Sequence, residues 1–196
     1  MKKLYILCAL FFVICCRETK KSTDLEETTS KQTDTLTEDN PELIEIYKND
    51  QGDRKTSDID WYVVSKNDSL RRVRVRELLA ADKVKTSKDY ARAAMVFQHG
   101  GDSTSYGMAV KLMEKSIALD STANKWLLAA ATDRYLQSKG LPQIYGTQYS
   151  KNNGEPWTMG DYDTTKISDE ERIKFGVRTL AQQKEMLQEM NAEEGF

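Results

Sequence analysis

No cysteine follows residue 16, and His99 is the only histidine in the 196-residue chain. The three cysteines are Cys8, Cys15 and Cys16. The body beyond them therefore has no disulfide framework, no thiolate nucleophile and no thiolate-held zinc or iron–sulfur centre. A lone histidine excludes a His-rich metal site, and neither a metal nor any other cofactor is expected. No nucleophile elbow built on serine, phosphate-binding Gly-rich loop or metal-ligand spacing occurs either. The formal charge of −2 gives no global pull toward nucleic acid. Arg71, Arg72, Arg74 and Arg76 do cluster. A solvated helix face paired with local acids accounts for them better than a nucleic-acid patch, so no nucleic acid is expected among the partners.

What is present starts at the N-terminus. Met1-Lys2-Lys3 is followed by an almost unbroken apolar run from Leu4 to Ile14 and then by Cys15-Cys16-Arg17. A basic start followed by a short apolar stretch is the pattern of a secretory signal, too short for a permanent span. Val13-Ile14-Cys15 ahead of Cys16 resembles the lipobox of bacterial lipoproteins. The resemblance implies removal of residues 1–15 and acylation of Cys16 by fatty acids such as palmitate, so that the membrane itself becomes a partner. Two or more acyl chains make such an anchor durable, at about 0.8 kcal/mol per buried CH2. Arg17 stands where an Asp resembles an inner-membrane retention signal, which points to the outer membrane of the cell envelope.

Residues 16–40 form a polar tether in this reading. From Arg17 to Asn40 the only large apolar residues are Leu25 and Leu36, and aromatics are absent. Such a segment cannot bury enough surface to offset its ordering entropy. Residues 41–196 are long enough for one domain with a real core.

The expected fold class is mainly α, an antiparallel helix bundle. Pro41 opens a short helix, Asn49 to Asp60 is turn-rich, and a basic helix runs from Ser69 to Ala81. Ser87 to His99 carries Tyr90, Ala93, Ala94 and Phe97 on one stripe and stops at Gly100-Gly101. The next helices run from Ser103 or Ser105 to Leu119 and from Thr122 to Lys139, where Gly140 and Pro142 end the pattern. Short connections force such neighbours to pack antiparallel. The stretch from Tyr106 to Asp120 is similar to half of a tetratricopeptide-type repeat, which predicts similar helix-pair packing without a repeat array. Alternation from Gln143 to Tyr149, a turn at Asn152-Asn153-Gly154 and a return from Trp157 to Tyr162 predict a small β-hairpin near 143–162. Ser168-Asp169-Glu170-Glu171 opens a short helix stopping at Gly176, and Thr179 with Gln182 opens the last.

Four polar signatures sit beside the predicted core faces: Asp50-Gln51-Gly52-Asp53-Arg54, Gln98-His99, Asp133-Arg134, and Pro142 to Gln148. Asp133 falls four residues after Ala129 on the inward face of its helix, so its carboxylate needs a partner. These signatures, in this order, resemble a bacterial family defined only as a domain of unknown function. The family implies a predominantly helical domain and supplies no activity.

Two readings follow from the residues. In one, the signatures converge on a pocket for a small polar ligand or an envelope protein. The ligand-binding residues are then Gln51, Asp53, Arg54, Gln98, Arg134, Gln143, Tyr145, Thr147 and Gln148. Its enzymatic variant is an envelope hydrolase with His99 as general acid or base, oriented by Asp133 or Asp53. In the other, the same side chains form a sealed polar network, and the protein is a tethered binding module without chemistry. Solvent access to His99 and Gln148 separates the two.

Overall fold

The computed structural model describes residues 38–55 and 57–196. Cys16, the predicted signal segment and most of the predicted tether lie outside them. Seven helices occur among the described residues: α1 Pro41–Gly52, α2 Trp61–Ala80, α3 Ser87–Gln98, α4 Ser103–Leu119, α5 Trp126–Ser138, α6 Asp169–Lys174 and α7 Leu180–Glu193.

Most of these helices begin where a short polar side chain accepts an otherwise orphaned backbone N–H. Asn40 caps α1, Asp60 α2, Thr86 α3, Asp102 α4 and Ser168 α6. Thr179 and Gln182 cap α7 reciprocally. Each such cap stabilises its helix by about 1 kcal/mol. Asp39 and Asn40, assigned to the tether by composition, are fastened to the bundle. Asp39 accepts from Thr86 Oγ1 at 2.6 Å and pairs with Arg92 at 2.9 Å. The Asn40 backbone N–H donates to both oxygens of Asp89.

Helix α3 lies at the centre, against α1, α2 and α4, and α4 carries α5 on its other side. The main core fills this group with Leu43, Val75, Leu78, Val96, Phe97, Leu112, Met113 and Leu127. The helices do not form equivalent pairs, so the predicted tetratricopeptide-like packing is not supported. Three helix boundaries also shift. The first helix runs on to Gly52, α2 starts at Trp61 rather than near Ser69, and α5 starts at Trp126 rather than at Thr122.

The C-terminal third is held differently. Helices α6 and α7 are tied to the irregular segment between α5 and α6, not packed along the bundle. Gln183 on α7 donates to the carbonyls of Tyr145 and Arg178, and the Asn191 side chain bonds both backbone groups of Trp157. A second, smaller core of Ala129, Tyr145, Ile167 and Val177 lies here, with the Tyr145 ring 5.0 Å from Phe175.

The predicted hairpin at 143–162 does not form. Two isolated bridges stand in its place, parallel between Gln143 and Tyr162 and antiparallel between Ser150 and Thr158. The reason lies in α5. Asp133 takes the backbone N–H groups of Ile144, Tyr145 and Thr147, which a strand would have given to its neighbour. Between them Gly146 adopts φ +80°, and a Cβ there would lie 2.2 Å from Gln183 Oε1. Both conditions require glycine.

Candidate functional site

The four signatures, up to about a hundred residues apart in sequence, are joined by one chain of hydrogen bonds. It starts at Asp50, which is fully buried on the last turn of α1. Gln51 Nε2 donates to Asp50 Oδ2 at 2.7 Å, and Arg54 Nη1 approaches Oδ1 at 3.3 Å. His99, the residue that ends α3, places Nδ1 3.0 Å from the same Oδ1. One residue back, the Gln98 carbonyl accepts from Arg134 Nη1 at 3.0 Å, and Arg134 Nε donates to Gln148 Oε1 at 2.8 Å. Gln148 in turn donates to Thr147 Oγ1, which donates to Asp133.

Along this chain the side chains divide between an open end and a sealed end. At the open end, a cleft of about 490 Å³ is lined by Arg54, Trp61, Asp68, Arg72, Gln98, His99, Tyr106 and Arg134, among others. The His99 side chain is 16 % exposed. Its Nδ1 edge faces Asp50, and its Nε2 has no hydrogen-bond partner among the described residues. Gln98 is buried, and its Oε1 is the one buried side-chain polar atom among the described residues without a partner. Gly100 and Gly101 form part of the wall. A Cβ at Gly100 would lie 2.0 Å from that of Ser105, and Gly101 adopts φ +74°, so the chain turns sharply from α3 into α4 beside His99.

At the sealed end, Asp133 is fully buried and its two oxygens accept four hydrogen bonds, from the N–H groups of Ile144, Tyr145 and Thr147 and from Thr147 Oγ1. Gln143 is equally buried, clasped to the Gln148 backbone in both directions and to the Met159 carbonyl. Burial pushes the Tyr145 hydroxyl up to about 12. These four groups, Asp133, Gln143, Tyr145 and Thr147, fix a loop to a helix. They do not line the His99 cleft.

Two expectations are corrected by this geometry. The carboxylate that orients His99 is that of Asp50, not Asp133 or Asp53. Asp133 has given all its acceptor capacity to the loop. Asp53 faces another way, toward Asn67 and Arg71, whose hydrogen bond holds its carboxyl below the usual range. Gln51 acts through Asp50 rather than lining the cleft. Of the predicted binding residues, Arg54, Gln98 and Arg134 line it together with His99, while Gln148 stands behind Arg134.

Asp68, Arg72, Trp61 and Tyr106 join the cleft without having been singled out as site residues. Asp68 is buried and holds Arg54 at 2.5 Å and Arg71 at 3.0 Å. Its signal was present: it lies four residues after buried Val64 and seven before buried Val75, on the stripe that faces the core. Arg74 pairs with Glu42 and Glu77, as expected for a solvated face, and Arg76 lies over the Phe97 ring. Arg72 instead donates to the His99 carbonyl at 3.2 Å.

Among the described residues, no cluster of three or more His, Cys, Asp or Glu could hold a metal ion, and no helix is long and apolar enough to cross a membrane. Compared with known proteins, the chain matches no family model, no curated protein and no solved structure.

Proposed function

We propose that this chain is a lipoprotein of the bacterial cell envelope, anchored in the outer membrane through acylated Cys16, whose helical body binds a small polar ligand in the cleft at the C-terminal end of α3. The observation that carries the binding role is the cleft itself, about 490 Å³, whose lining brings His99, with its Nε2 unpartnered among the described residues, together with the guanidinium groups of Arg72 and Arg134. The four signatures that carry the resemblance to a family of unknown function all belong to the hydrogen-bonded chain that builds this cleft and the clasp behind it.

Native mass spectrometry of the purified lipoprotein tests the binding role. The expected result is a retained polar molecule, such as a saccharide or peptide fragment of the envelope, whose retention is weakened in His99→Ala. Failure of the protein to retain or bind any polar molecule from envelope extracts would remove the proposal.

One observation favours a second reading. Asp50 and His99 form a carboxylate–imidazole pair whose distal nitrogen is unpartnered beside the cleft, the arrangement a general base uses to activate water. A hydrolase built this way would lose turnover in His99→Ala while keeping ligand affinity; a binding module would show no turnover to lose.

A further inference from the structure

Resting on that reading of the cleft as a ligand site, we infer that its ligand carries an oxyanion, a carboxylate or phosphate group, held between Arg72 and Arg134. The argument begins with where the cleft's charges are spent. Arg54 is engaged by Asp50 and Asp68. Neither Arg72 nor Arg134 has an ion-pair partner among the described residues. Arg72 donates to the His99 carbonyl and to Ser69 Oγ. Arg134 donates to the Gln98 carbonyl and to Gln148 Oε1.

Both guanidinium groups therefore rest on consecutive carbonyls at the end of α3, and both line the same cleft. A guanidinium has five N–H donors in a fixed fork, so each has donors left over after these bonds. Arg72 lies close enough to Asp102 to lower its pKa but makes no ion pair with it, and Ser105 bonds both Asp102 oxygens through its backbone N–H and hydroxyl. Two half-buried cations, positioned by neutral acceptors and without an ion-pair partner among the described residues, form a site for an anion. Trp61 on the rim is 63 % exposed, an aromatic face on which the rest of the ligand can lie.

Isothermal titration of the purified lipoprotein with acetate and with inorganic phosphate, at constant ionic strength in chloride, tests the inference. Saturable binding of one of them is expected in the native protein. It is also expected in Lys66→Gln, which removes a charge from an exposed position on α2. Arg72→Gln should weaken it about tenfold, the effect of losing one charge-assisted hydrogen bond. Tighter acetate binding identifies a carboxylate ligand and tighter phosphate binding a phosphorylated one. Arg134→Gln should weaken binding similarly, but it also cuts the bond to Gln148, so the folded Arg72→Gln protein decides the matter. Equal anion affinity in native protein and Arg72→Gln, or no anion binding at all, overturns the inference. A polar molecule retained equally by Arg72→Gln would overturn it while leaving the binding role intact. Loss of all ligand binding from the native protein would end both.

Discussion

The imidazole Nδ1 of His99 lies 3.0 Å from Oδ1 of Asp50, a carboxylate with no exposed surface. The pair joins the C-terminus of α3 to the last turn of α1, and its two members carry unequal burdens. His99 lines the cleft, and its removal leaves Asp50 with Gln51 and Arg54. His99→Ala should therefore cost about 1 kcal/mol, a drop of about 2–4 °C in Tm for a chain of this size. Asp50→Ala strips Gln51, Arg54 and His99 of one shared acceptor in the interior and should cost about 3–5 kcal/mol. Urea unfolding of both variants checks the ratio. Equal losses would mean that His99 is as structural as its partner.

Asp133 calls for the opposite expectation from a catalytic orienting group. It accepts three backbone N–H bonds and one hydroxyl bond from residues 144–147 and has no exposed surface. Asp133→Ala leaves buried donors unpaired and should destabilise the fold by about 4 kcal/mol or more. Asp133→Asn turns an N–H₂ toward donors that need an acceptor and should cost about 2 kcal/mol. Amide exchange should quicken first in the 143–148 loop, because that loop depends on this side chain. Unchanged stability in both variants would return Asp133 to the list of catalytic candidates.

Much of the bundle was readable because its helices announce their ends locally. Ser87 to Gly101 shows a clean apolar stripe and a glycine stop, and α4 and α7 carry their own caps. The start of α2 was hidden for a physical reason. Trp61, Tyr62, Val63, Leu70 and Val73 are exposed apolar residues on a helix that also buries Val64, Val75 and Leu78, so no single stripe stands out. The hairpin was misread because alternation reports which side chains face inward, not where the backbone N–H groups go. Here Asp133, ten positions before Gln143, takes them. The partner of His99 was missed on similar grounds. Helical spacing shows that a carboxylate is buried, but that His99 meets Asp50, and not the expected Asp133 or Asp53, depends on how α1, α3 and α5 meet.

Alkaline pH offers an independent probe of the second core. Burial, with the charges of Glu171 and Asp133 adding to it, pushes the Tyr145 hydroxyl up to about 12. Its value in the unfolded chain is the ordinary one near 10. A raised native value means that the fold favours the protonated form. That contribution is complete below pH 10 and is lost as pH rises from about 10 to 12. Tyr145→Phe keeps the ring against Phe175 and deletes a hydroxyl that makes no hydrogen bond among the described residues. It should flatten part of the alkaline fall in stability. Tyr149 and Tyr162 are also raised by burial, so part of the slope will remain. An unchanged slope would show that Tyr145 ionises without opening the fold.

The proposed lipid anchor at Cys16 and the exposed apolar residues of α2 are alternative membrane contacts, and one variant separates them. A single acyl chain gives marginal attachment and two or more give durable attachment, so anchoring through Cys16 should be all or nothing. Cys16→Ser should move the protein from the detergent-rich to the aqueous phase in Triton X-114 partitioning. Its melting curve should not change, because no cysteine follows residue 16. If the variant stays with membranes through a carbonate wash, lipidation at Cys16 is not what holds the protein there. The exposed stripe of Tyr62, Val63, Leu70 and Val73 would then be the surface to test, by placing a charge at Leu70. Release of Cys16→Ser with native stability would leave that stripe without a membrane role, since an apolar face binding the bilayer unaided would have retained the protein.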